Sequence, residues 1–302
     1  MDLKQLNALL AIADHGSFSA AADALHTVQS NVSTRVGRLE RELRVELVDR
    51  SRRELTPAGR AVADRARRIV GELNAIPSDI AALNDEVRGT VHTGVIASTA
   101  RWLVPRLLAR LETDQPLVTL RITEAPTNNI VPAVASGALD TGVISLPADS
   151  ADVVVEPLFE EQVVLVVPDD HPLAAAEALE MKDLRGVPLI LPPQGTPLRD
   201  ELDAEFARDD VQLLPSSEVN GIRLIESLVT RGLGAALLPA TAAPEEQGPV
   251  HVTVNGLRRR RVALITSSRM APSVPALATS EVLRRVVAGN ADAMAAVHLP
   301  EA

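Results

Sequence analysis

The chain has 302 residues, 46% of them hydrophobic and 23% charged, so it folds into more than one compact unit and is neither disordered nor a lone coiled coil. It has no Cys, which excludes disulfides and thiolate metal sites, and only three Phe, one Trp and no Tyr, which removes aromatic stacking as a main recognition device. The net charge of −10 argues against a nucleic-acid partner for the chain as a whole, but residues 1–60 hold 9 basic against 8 acidic residues and residues 91–302 hold 17 against 27. The acidity lies in the C-terminal part.

From the N-terminus, Leu3, Leu6, Leu9, Leu10 and Ala13 line one face of a helix that His15-Gly16 ends. Ser17 is an N-cap for a short Ala-rich helix over 18–25, and Thr27 opens a third helix over about 28–43. That helix turns Val32, Val36, Leu39 and Leu43 inward and Gln29, Ser30, Asn31, Ser33, Thr34, Arg35 and Arg38 outward. Such a polar face suits a helix in a DNA major groove, where Gln, Asn and Ser pair with base edges and Arg reaches guanine or phosphate; an ordinary amphipathic surface helix has the same pattern. Next, VELVDRSRRELT predicts two short strands around a turn carrying Arg50, Arg52 and Arg53, the composition of a wing that grips phosphate.

Thr56-Pro57 starts a long helix, with Thr as N-cap and Pro in the first turn. Its apolar residues Val62, Ala66, Ile69, Leu73, Ile76, Ile80, Leu83 and Val87 alternate spacings of four and three, the seam of a two-stranded coiled coil that needs a partner. Pro77 cannot donate to the Leu73 carbonyl, and it predicts a kink or short interruption over 73–77.

From Thr90 the period changes to an alternation of strands and helices, the mark of an α/β domain. Strands are expected at 91–98 and 118–125, then at 141–144, 163–167, 188–191, 212–214, 235–237 and 261–265, with helices between most of them. Loops are expected near 240–249 and 271–275, and a disordered tail after Asn290. The six His, at positions 15, 26, 92, 171, 251 and 298, have no metal-ligand spacing, and no nucleophile-elbow or phosphate-loop motif appears. The sequence therefore assigns no catalytic or metal-ligating residue and no cofactor. The start carries Asp2, Lys4 and Asp14 without a signal-peptide pattern, and no apolar run reaches membrane-spanning length, so the cytoplasm is the expected location. The run from Arg258 to Arg261 is expected to be a solvated turn before a strand.

The segment HGSFSAAADALHTVQSNVSTRVGRLERELRVELVDRSRRELTPAGR resembles the helix-turn-helix signature of the LysR-type transcriptional regulators, with its Ser-Phe-x-x-Ala-Ala core, Gln-x-x-Val-Ser segment, Leu-Glu and Leu-Thr-x-x-Gly. LVPRLLARLETDQPLVTLRITEA, ASGALDTGVIS, EEQVVLVVPDDHPLA and LVTRGLGAALLP resemble, in order and spacing, the family's periplasmic-binding-protein-like effector domain. Arg44, Glu46 and Val48 depart from the family's usual Gly, Pro and Phe, and the wing turn is about two residues shorter.

The resemblance implies a winged helix-turn-helix over 1–57, a linker and dimerisation helix over 58–88, and an α/β effector-binding domain over 89–302. The last would have two lobes, lobe I over 89–162 and 266–302 and lobe II over 163–265, joined by crossing strands. It implies major-groove contacts from Gln29, Ser30, Ser33, Thr34 and Arg35, backbone contacts from Arg50, Arg52 and Arg53, and a homodimer through the seam, commonly paired into a tetramer. Its effector cleft maps onto Ser98, Thr99, Arg101, Thr127, Asn128, Ser145, Gln194, Gly195, Thr196 and Asn220. With Arg101 the only cation among them, a small polar metabolite or monocarboxylate is the expected effector. The implied partners are double-stranded DNA, that metabolite and RNA polymerase, with no membrane. A solute-binding protein without a transcriptional role is the alternative.

Overall fold

A computed structural model describes residues 1–148, 150–242, 248–291 and 297–299. The chain divides into two compact units, residues 1–86 with 136–138 and residues 87–135 with 139–302.

The N-terminal unit opens with α1 (Leu3–His15), capped by a box in which the Asp2 carboxylate accepts from the Gln5 N–H and the Gln5 side chain accepts from the Asp2 N–H, and closed by Gly16 in the left-handed conformation. Ser17 caps α2 (Phe18–Ala24). The next helix, α3 (Gln29–Leu43), has Val28 as its N-cap, not Thr27, whose hydroxyl instead accepts from Asn31 Nδ2 at 3.0 Å. Leu9, Val32, Val36, Leu39 and Leu47 are fully buried where these helices meet, each large aliphatic side chain contributing about 1.5–3 kcal/mol.

Arg44 ends α3 with φ 55°, the left-handed conformation that glycine adopts most easily; the family's usual Gly has a backbone reason, and this chain holds the same turn at some cost. The wing is β1 (Val48–Asp49) paired antiparallel with β2 (Glu54–Leu55). Between them the Asp49 carboxylate accepts from the Ser51 hydroxyl and the N–H groups of Ser51 and Arg52, which hold it below the usual carboxylate range.

The linker α4 (Pro57–Ala82) starts at a Thr56 cap and runs through Pro77, so the short interruption, one of the two outcomes expected there, is absent. Pro77 leaves the Leu73 carbonyl without its helical donor, and Leu73 is 42% exposed. The seam divides in two. Val62 and Ala66 pack into the core of their own unit, whereas Ile69, Leu73, Ile76, Ile80 and Leu83 stand exposed, from 42% to 80%.

The C-terminal unit has two lobes. Lobe I is built from β3 (Gly89–Val95), α5 (Ala97–Asp114), β4 (Val118–Glu124), α6 (Thr127–Ser136), β5 (Thr141–Ser145) and β6 (Val153–Glu161). Lobe II follows with β7 (Val163–Val167), β8 (Ala178–Glu180), β9 (Pro188–Leu191), α7 (Pro197–Arg208), β10 (Leu214–Glu218), α8 (Ile222–Thr230), β11 (Ala236–Pro239) and β12 (Val250–Asn255). The chain then returns to lobe I through β13 (Arg260–Ser267), α9 (Val274–Ala291) and β14 (Val297–His298).

Lobe I is a six-stranded sheet in the order β14-β6-β13-β5-β3-β4, with β3 parallel to both neighbours and β13 antiparallel to β5 and β6. Residues 260–265, assigned above to lobe II, therefore belong to lobe I. Gly142 sits where a β-carbon would lie 2.5 Å from Ile130 Cγ2, which is how α6 packs so closely on β5. In lobe II, β7 separates its side chains between two cores: Val163, Leu165 and Val167 on one face, Val164 and Val166 on the other. A strand buried on both faces explains the uninterrupted run VVLVV. The sheet β11-β7-β12-β8 continues into β9 and β10 through the Leu189–Ala235 bridge.

The strand expected at 212–214 begins only at Leu214, because β10 is an exposed edge with an irregularity at Pro215 and has no apolar alternation to mark it. Ala240–Ala242 forms a 3-10 turn in the loop expected at 240–249; residues 243–247 lie outside the described residues. In the tail expected to be disordered, Val297–His298 pairs with β6, and residues 292–296 and 300–302 lie outside the described residues. No helix among the described residues is long and apolar enough to cross a membrane.

Candidate functional site

In the N-terminal unit, Gln29, Ser30, Asn31, Thr34 and Arg38 are exposed on α3, and Ser33 and Arg35 are half-buried at its flank. Gln29 and Ser33 line a groove of about 470 Å³ with Ser17, Phe18 and Ser19 at the start of α2 and Arg50 and Arg53 of the wing. Helix face and wing thus border one concave polar surface.

The signature residues Leu39-Glu40 and Leu55-Thr56-x-x-Gly59 hold that surface together. Glu40 Oε1 accepts from the N–H groups of Leu47 and Val48 at 3.0 and 3.3 Å, and its Oε2 pairs with Arg50 at 3.2 Å. One carboxylate thereby ties the recognition helix to the first wing strand and to a wing arginine. Arg50 also lies 5.9 Å over the Phe18 ring, so it serves the wing's position as well as its charge. Thr56 donates its hydroxyl to Glu46 O and its N–H to Leu47 O, and accepts from the Gly59 N–H. Arg52 lies 3.9 Å from Asp49, and Arg53 stands exposed at φ 58° in the turn.

In the C-terminal unit, a cleft of about 350 Å³ opens between the lobes. Ser98, Thr127, Asn128, Ser145, Gly195, Thr196 and Asn220 of the expected set lie on its wall. Thr127 and Ser145 meet there, the Ser145 N–H donating to Thr127 Oγ1 at 3.2 Å. The other three are elsewhere. Thr99 is fully buried behind the wall because it follows Ser98 by one helical residue and so faces the lobe I core. Arg101 is engaged by Glu226 Oε2 at 2.9 Å and the Ala242 carbonyl at 3.3 Å. Gln194 is exposed outside the wall.

The cation of this cleft is Arg260, from the run expected to be solvated. It is 4% exposed and lines the wall, and its Nη1 donates to Ser98 Oγ at 2.9 Å and Glu161 Oε1 at 3.3 Å. Its Nε is buried without a partner. Glu161 is fully buried, its other oxygen accepting from the Thr241 hydroxyl. Burial pushes the Glu161 carboxyl up against the lowering effect of Arg260, and Glu201 is raised in the same way. The helix ends at the wall lack side-chain caps: Ile96 before α5, Thr196 before α7 and Gly221 before α8. Thr196 turns its hydroxyl to the Pro193 carbonyl instead.

Residues 3–60 match the bacterial regulatory helix-turn-helix family of lysR type, and residues 84–288 match the LysR substrate binding domain. A "Probable hydrogen peroxide-inducible genes activator" of Mycobacterium leprae is 34% identical over 244 residues, 80% of this chain and 78% of that protein. The "DNA-binding transcriptional dual regulator OxyR" of Escherichia coli strain K12 is 30% identical over 249 residues, 82% of each. Among solved structures, a full-length OxyR variant from Pseudomonas aeruginosa superposes with a TM-score of 0.72 at 26% identity, over 95% of this chain and 94% of that one. With an N-terminal helix-turn-helix unit and a C-terminal two-lobed α/β unit of matching type, the chain belongs to the LysR family of transcriptional regulators.

Proposed function

We propose that this regulator binds an imperfectly palindromic double-stranded DNA site as a homodimer, two dimers pairing into a homotetramer, and that a small polar metabolite in the interlobe cleft modulates that binding. Gln29, Ser30, Asn31, Ser33, Thr34 and Arg35 face base edges in the major groove, with Arg38, Arg52 and Arg53 at the flanking phosphates. Arg50 holds the wing and adds its charge. The exposed apolar stripe from Ile69 to Leu83 on α4 is the dimer seam, because such a stripe along one helix needs a partner helix. The effector meets Ser98, Thr127, Asn128, Ser145, Gly195, Thr196 and Asn220. No resident cofactor is needed, and the setting is the cytoplasm, where a DNA-bound regulator can contact RNA polymerase.

The observation that carries the DNA part is the polar face of α3 bordering one groove with the wing. The peroxide named for several relatives does not transfer by thiol chemistry, since this chain has no Cys to oxidise. Reversible ligand binding is the signal that remains.

A mobility shift on the DNA flanking the protein's own gene, across a salt series, tests the reading. Tight binding that weakens with salt and is lost in Gln29→Ala and Arg35→Ala supports it. Absence of selective binding there and to genomic fragments overturns it.

A further inference from the structure

The interlobe cleft contains an unusual electrostatic arrangement. Three helices of nine residues or more, α5, α7 and α8, start at its wall without side-chain caps, which puts the positive ends of their dipoles there, although Pro197 has no N–H and the Thr99 and Leu224 N–H groups already donate to Ile96 O and Gly221 O. Between them lies a guanidinium shielded from solvent, with its Nε unpartnered. A buried donor without a partner is costly, and a charged one more so. Neither Arg101, paired with Glu226, nor Arg223, paired with Glu124, lines the cleft. The remaining wall has apolar Ile96, Pro126, Leu198 and Ile222 and one carboxylate, Glu124, whose charge Arg223 offsets.

We propose that the cleft takes a small monoanion with an apolar body, a carboxylate being the simplest case, whose charged group binds Arg260, Ser98 and the first turn of α5 while displacing Glu161 as the resident counter-ion of Arg260. This rests on the reading of the cleft as the effector site and adds the ligand's chemical class and anchor. A single available cation selects one negative charge over two. A neutral ligand would leave the Arg260–Glu161 pair undisturbed.

The arrangement also couples binding to protons. Arg260 is faced by Glu161 from β6 and by Glu201 from α7, itself near Glu205, while Ser98 and Thr241 are neutral. Burial already raises Glu161, and losing its share of Arg260 raises it further, so the anion's arrival favours uptake of a proton. Carboxylate affinity in the wild type therefore rises as pH falls.

The test uses the full-length protein and matched probes, benzoate against benzamide and butyrate against butyramide, with binding measured by calorimetry and by the shift in Tm. The expected result is binding of the acids over their amides, weakened at least about tenfold in Arg260→Gln. Because R260Q leaves Glu161 without its cation, the double variant R260Q/E161Q, a pair of neutral amides, is measured beside it and should bind as weakly. Glu161→Gln should bind the acids about tenfold more tightly than wild type and lose the pH dependence. A structural ion pair would not produce that gain. Equal binding of acids and amides, or acid binding indifferent to R260Q and E161Q, overturns the anion anchor while leaving the effector reading intact. No binding of either acid to wild type or E161Q also overturns it, whereas the effector reading is judged separately by whether metabolites alter the DNA mobility shift.

Discussion

The carbonyl oxygen of Leu47 lies 1.9 Å from where a β-carbon on Gly59 would stand, so the first turn of the linker helix presses directly on the backbone entering the wing. The same carbonyl accepts from Thr56, the cap of that helix. The contact is between two backbones, and neither can rotate away.

Gly59→Ala should therefore destabilise the N-terminal unit by about 3 kcal/mol or more. Gly37→Ala is the control: Gly37 has open space at its β-carbon and lies in α3, where Ala should be neutral or stabilising by up to about 1 kcal/mol. Denaturant unfolding of the two variants should separate them clearly. Equal stability would remove the close approach as the reason for glycine at 59.

Glu40 is the next test. Glu40→Ala leaves the Leu47 and Val48 N–H groups without their acceptor and Arg50 without its partner, and each orphaned donor costs about 1–3 kcal/mol where water cannot reach it. Glu40→Gln keeps an acceptor and should restore most of the Tm. If Ala and Gln behave alike, the amides are not what Glu40 serves.

The wing arginines should part company. Arg53→Ala, an exposed cation, should weaken DNA binding uniformly across sequences and reduce the salt slope by about one. Arg50→Ala should lower both DNA affinity and Tm, because it also removes contacts to Glu40 and Phe18. Gln29→Ala should cost about 1–3 kcal/mol on the preferred site and little on unrelated DNA. Salt-dependent affinities for the three variants decide this, and identical profiles would remove the division of labour.

Replacing Ile76 and Ile80 together by Asp puts two charges into the exposed stripe of α4. Sedimentation should then find a smaller species than wild type, with the Tm of the C-terminal unit unchanged. An unchanged oligomer would move the interface elsewhere.

The elements most legible in the sequence were those whose signals are local. Gly16, Ser17 and the Thr56-Pro57 pair marked helix ends through backbone chemistry alone, and most of the α3 face followed from its 3.6-residue period, although Leu43, expected inward, is exposed and Ser33 and Arg35 are half-buried. The wall of the cleft was legible only in part. Ser98 and Thr99 are adjacent and chemically alike, and the turn of the helix that separates them, one at the wall and one in the core, cannot be read from composition.

Arg260 was hidden for a related reason. Four consecutive arginines look uniformly solvated, but β13 lies between β5 and β6, and its alternation buries Arg260 while Arg261 faces outward. The sheet order that buries it comes from pairings with residues about a hundred positions earlier. Pro77 does not interrupt its helix: its lost hydrogen bond is a local fact, and the helix continues past it.

The scarcity of aromatic residues has a practical consequence. Trp102 is the chain's only tryptophan, there is no tyrosine, and the indole sits buried on α5, one turn beyond Ser98, edge-on to Phe159 at 5.4 Å. Its intrinsic emission therefore comes from a single fluorophore on the helix whose first turn borders the cleft. A spectral shift on adding a ligand would report the movement of one known helix, with no label attached and no second chromophore to subtract.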